Sequence, residues 1–149
     1  MFRDSTTPAS TNAGATGGVR LLLRLEGFAA FFVAVALYRQ NDYGWGVFAL
    51  AFLTPDLSFL GYLAGNRIGA IAYNAAHSYL GPVIVLTASA YLASPPLFAA
   101  GLIWCAHIGF DRALGYGLKY VAGFGYTHLG RIGRDADATP TRAPTDAHA

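Results

Sequence analysis

LLLRLEGFAAFFVAVALY, Leu21 to Tyr38, decides the fold, because it reads either as a membrane span or as a secretory leader. The hydrocarbon layer of a bilayer is about 30 Å thick and an α-helix rises about 1.5 Å per residue, so a span takes roughly 20 mostly apolar residues. The stretch follows Arg20 as a leader would, yet it carries Arg24 and Glu26 and runs into RQND without a small-x-small cleavage pattern. It reads as a retained transmembrane helix.

Outward from it, three further apolar stretches follow: about Gly44 to Leu63, Ile68 to Ala93 and Pro96 to Leu118. The connections RQNDYG, AGNR and ASPP are short, so consecutive spans pack as antiparallel neighbours. The whole chain has 149 residues, 54% hydrophobic and 12% charged, with a mean hydropathy of +0.40, a balance that points to lipid as the solvent. The expected architecture is all-α: a four-helix transmembrane bundle over residues 19–134, flanked by disordered tails at 1–18 and 135–149. Both tails are rich in Thr, Ala, Pro and Gly and lack the apolar periodicity that would offset ordering entropy.

An even number of spans places both termini on one side. Arg3, Arg20, Arg67, Lys119, Arg131, Arg134 and Arg142 collect there, against Arg39 alone on the other, so the positive-inside rule expects cytoplasmic termini in an inner membrane. The net charge of +2 reflects this bias and not a nucleic-acid surface, since no basic stripe with interleaved aromatics is present. Cys105 stands alone inside the fourth span, which excludes an intramolecular disulfide and a CxxC metal site.

The polar groups within the spans carry the functional signal. Glu26 lies about 8 Å along the first span, Asp56 about 10 Å from the end of the second and His77 about 13 Å along the third. In the fourth, His107 lies near the middle and Asp111 about one turn further on, on the same face. Ionisable side chains in hydrocarbon face the bundle interior, pair, or line a cavity, so a shared depth expects a shared pocket. Pro82 removes a helical donor just beyond His77, where a kink is expected; Pro55 frees the carbonyl of Ala51 beside Asp56. Arg112, Tyr116 and Lys119 fall on a second face of the fourth span, from which they would snorkel to the headgroup layer.

LLLRLEG, PDLSFLGYLAG, YNAAHSY and above all HIGFDRALGYGLKY followed by THLGRIG resemble the bacterial membrane family catalogued as domain of unknown function 4260, over about residues 20–133. The resemblance implies four spans and brings no reaction, cofactor or partner with it. The Pro-Asp element and the separated intramembrane histidines are also similar to those of membrane-bound metal-dependent hydrolases, although the denser histidine motifs of that group are missing.

The chemistry expected of these residues is metal-dependent hydrolysis of a lipid or other amphiphile. His77, His107, Asp56 and Asp111 make a mixed nitrogen and oxygen donor set suited to a divalent metal such as zinc. Glu26, Asp56 and Arg112 are the expected catalytic groups, and Tyr73, Asn74, Tyr116, Lys119 and His128 the expected substrate contacts. His128 either completes the site from the cytoplasmic side or lies exposed at the interface, whereas His148 falls in the C-terminal tail and is expected to have no role. Two rival readings stand beside this one. Four short spans with an acidic group in the first have the outline of small proton-coupled exporters, which would require a homodimer and use Glu26. Alternatively the polar set is a satisfied network that only fixes helix register. Dinucleotide loops, phosphate loops and a GxSxG elbow are absent from the sequence. Membrane lipids are the expected partners, and nucleic acid is not one.

Overall fold

Apolar helical legs run back and forth, and two of them break close to a proline, which withholds a backbone donor. The computed structural model describes residues 14–121 and 125–131. Helix α1 covers Gly17–Gln40; α2, Trp45–Phe52, continues directly into a 3-10 helix, Thr54–Ala64. Helices α3 (Asn66–Ala76) and α4 (Leu80–Tyr91) form one interrupted leg, and α5 runs from Pro95 to Leu114. The fold is an all-α four-helix bundle, and three of its legs, α1, α2 with the 3-10 helix, and α5, are each long and apolar enough to cross a membrane.

Helix α5 is the hub, packed against α1, α2 and α4. It meets α1 at paired glycines: a Cβ on Gly109 would stand 2.6 Å from the Phe31 nitrogen and 2.7 Å from the Gly27 carbonyl oxygen. With no hydrophobic force between helices in lipid, such close backbone approach is what holds them.

The 3-10 helix packs on α3 and owes its form to a triplet pattern in DLSFLGYLA. Side chains three apart eclipse in a 3-10 helix, so Asp56, Phe59 and Tyr62 make one row, and Leu57, Leu60 and Leu63 another. The leucine row is exposed. The Phe59 ring lies 5.0 Å from that of Tyr73 on α3, and Tyr62 packs on Gly69. Eleven residues at about 2.0 Å each give this segment about 22 Å, more than an α-helix of equal length.

Between α3 and α4 the chain leaves the helix at His77–Tyr79, one turn before Pro82, which sits in the first turn of α4 where its missing N–H is tolerated. The freed carbonyls must be satisfied inside the protein. Side chains of α5 do this: the Trp104 indole donates to the Ala76 oxygen at 2.6 Å and Arg112 Nη2 to the His77 oxygen at 3.4 Å.

The fourth span is shorter than expected. It ends at Leu114, where Gly115 takes φ 96° and Tyr116 N–H returns to the Asp111 carbonyl at 2.8 Å, a glycine C-cap. The expected stripe of Arg112, Tyr116 and Lys119 on one helical face is therefore not formed. The chain folds back instead: Lys119 pairs with Thr127, and β1 (Tyr126–Thr127) pairs antiparallel with β2 (Gly130–Arg131). Of the expected tails, 1–13 and 135–149, His148 included, lie outside the described residues; 14–18 do not behave as tail, since Ala15 N–H donates to the His128 carbonyl at 2.7 Å and α1 begins at Gly17.

Candidate metal centre

Three legs bring four ligand atoms to one point. Asp56 comes from the first turn of the 3-10 helix, His77 from the C-cap of α3 at the break, and His107 and Asp111 from successive turns of α5. Their donor atoms lie within 4.8 Å of one another. His77 Nε2 is 3.1 Å from His107 Nε2, 3.5 Å from Asp56 Oδ1 and 3.5 Å from Asp111 Oδ2. His107 Nε2 is 3.6 Å from Asp56 Oδ1 and 3.8 Å from Asp111 Oδ2. A tetrahedral ion with bonds of about 2.0–2.1 Å holds its ligands about 3.3 Å apart, so these spacings match a single small cation.

The ring nitrogens are directed by their other contacts. His77 Nδ1 lies 3.0 Å from the Tyr73 carbonyl and donates to it, which leaves the Nε2 lone pair facing the centre. The Tyr73 ring stacks on His77 at 3.8 Å and its hydroxyl donates to Asp111 Oδ2 at 3.4 Å. His107 is held by packing: the edge of Phe52 meets it at 5.2 Å, and its Nδ1 is buried with no hydrogen-bond partner among the described residues. Exposure is graded across the set. The histidine side chains are 2–4% exposed, Asp111 18% and Asp56 36%, so the open side of the centre is at Asp56.

The other expected residues are placed differently. Glu26 is exposed on α1 and stands outside the four-residue group, because the neighbouring Gly27 faces α5 and turns Glu26 about 100° away. Arg112 is engaged with the His77 carbonyl and, at 2.5 Å, with His128 Nε2. Asn74 grips the returning chain, donating to the Lys119 carbonyl at 2.8 Å and accepting from Lys119 N–H at 2.7 Å. Tyr116 is exposed beyond the end of α5.

Lys119 does not snorkel. It is 5% exposed, with Nζ 4.8 Å from the centroid of the Tyr73 ring and 5.3 Å from that of Phe59, roofing the centre. Burial pulls its ammonium down to about 8, the Asp111 charge opposing. His128 accepts Leu118 N–H on Nδ1 at 2.8 Å, a bond that a doubly protonated ring would lose, and its Nε2 lies against Arg112. Burial, then the Arg112 charge, lower its pKa. Trp104 and Phe59, which the sequence marks only as bulk, thus order the break and the roof; the triplet pattern around Phe59 was the readable signal.

A family model described as Domain of unknown function (DUF4260) matches residues 20–132. No curated protein and no solved structure matches the chain.

Proposed function

Since the chain belongs to the DUF4260 family, whose description names no reaction, we propose from its own geometry that it is a membrane-embedded, metal-dependent hydrolase of lipids or other amphiphiles. The observation that supports this reading is that His77 Nε2 and His107 Nε2 lie 3.1 Å apart and each within 3.5–3.8 Å of the Asp56 and Asp111 oxygens. Two imidazoles and two carboxylates gathered this closely suit zinc. Bound there, the ion would supply Lewis-acid activation of water toward an ester or phosphoester.

The chain's own groups divide the remaining work. His77, His107 and Asp111 are buried and would hold the ion together with Asp56, which, as the most exposed of the four, also meets entering water and takes its proton. Lys119, roofing Tyr73, neutralises an anionic group of the substrate. Arg112 and His128 fasten the roof to the helix break. Glu26 has no part in this scheme, being turned outward on α1. The site lies between apolar legs in the half of the bundle where α1 starts and α5 ends, and the distribution of Arg and Lys supports a cytoplasmic position for that half.

Elemental analysis of detergent-purified protein tests the reading. One ion per chain in the wild type, lost in both His107→Ala and Asp56→Ala, is the expected result; a metal-free wild type overturns it and leaves a structural polar network. The exporter reading draws on the exposure of Glu26 among apolar residues of α1. It requires a homodimer, and Glu26→Gln would then abolish proton-coupled transport in liposomes, a substitution to which the hydrolase is indifferent.

A further inference from the structure

A second cavity, of about 310 Å³, opens between α2 and α5 in the other half of the bundle, lined by Tyr38, Val47, Ala51, Ala99, Ala100 and Ile103 among others. That volume is at the small end of ligand pockets. The groove exists because small side chains face each other: Ala51 on one wall, Ala99 and Ala100 on the other. Its lining is mostly apolar, and the Tyr38 hydroxyl is turned to the Gly44 carbonyl at 2.9 Å.

The inner end points at the metal centre. Ile103 precedes His107 by one helical turn, and Ala51 adjoins Phe52, whose ring is the one that meets His107. The ring that packs on His107 thus belongs to the residue next to the groove wall. Val47 and Ala100 on the rims are exposed, so in a bilayer the groove opens to hydrocarbon.

We infer that this groove binds the hydrocarbon chain of a membrane amphiphile, lying along α5 between α2 and the Phe52 ring, with the polar end of the molecule at the metal centre. The chain-binding part stands on the groove alone; the placement of the polar end rests on the hydrolase reading. The alternative occupant is bulk lipid, exchanging there as on any helix face.

The probe is a long-chain fatty acid with a diazirine near its methyl end, photolysed with the full chain in phosphatidylcholine nanodiscs and mapped by mass spectrometry. Expected are crosslinks concentrated on the peptides holding Val47–Ala51 and Ala99–Ile103, competed by unlabelled fatty acid. Labelling falls at least fivefold in Ala100→Trp, which fills the groove from an exposed position, and in Val47→Trp on the opposite wall. Crosslinks spread evenly over the exposed faces of α1 and α4 without competition, or undiminished in well-folded tryptophan variants, overturn the inference. Saturable labelling of a metal-free wild type would uphold the groove and remove the hydrolase; a metal-loaded wild type without saturable labelling would do the reverse.

Discussion

Tyr73 serves the centre through three groups at once, its carbonyl fixing the His77 tautomer, its ring packing on His77 and its hydroxyl reaching Asp111. Removing the hydroxyl alone isolates one of them. Tyr73→Phe is expected to weaken metal affinity by about 10-fold, the lower bound for a lost second-layer contact, with thermal stability of the metal-free protein nearly unchanged; competition against a chromophoric chelator reads it. His128 gives a pH test. Its folded pKa is depressed, so above 6.5 the ring is neutral in folded and unfolded chains alike and the contribution is intact. As pH falls through 6.5 the unfolded chain takes up a proton that the folded one resists, and stability declines. The melting temperature should drop less between pH 7 and 5 in His128→Asn than in the wild type; equal slopes would remove His128 from the account. Depth along a span made Asp56, His77, His107 and Asp111 legible in the sequence. It selected Glu26 equally, because depth carries no information on which way a helix is turned against its neighbour.

Helix α5 touches three other legs, and its tightest crossing is at Gly109 on Gly27. Adding one methyl there drives α1 and α5 apart. Gly109→Ala is expected to destabilise by about 1–3 kcal/mol, whereas Gly46→Ala on α2, where a Cβ meets nothing within 4 Å, is neutral or slightly stabilising. Unfolding in graded SDS measures both. The break before Pro82 was legible, since proline cannot donate, and so was the position of His77 beside it. The end of α5 was readable too, because Gly115 follows Arg112 as a C-cap glycine follows a last turn, but apolar periodicity continuing to Leu118 hid it. The 3-10 form of Thr54–Ala64 was written in the triplets DLS, FLG and YLA. A search for a period of 3.6 passes over it.

For the molecule as a whole, a bound ion would tie the 3-10 helix, the α3–α4 break and α5 together. Binding to the folded state alone stabilises by about 2.7 kcal/mol at a free metal concentration one hundred times Kd. Stripping with a chelator should therefore lower the melting temperature of the wild type and leave that of His107→Ala unchanged. What the sequence by itself determined is the count of legs and their apolar character: runs of about 20 apolar residues are long enough to cross a bilayer, and the cost of burying ionisable groups there names the residues to watch. Which of them meet was decided by tertiary structure. Helix rotation, set by glycine contacts such as Gly27 on Gly109, turned Glu26 outward, and the fold-back after Gly115 carried Lys119 from the expected membrane surface to the roof of the centre. Both are long-range consequences of packing, and neither residue's neighbours in the chain encode them.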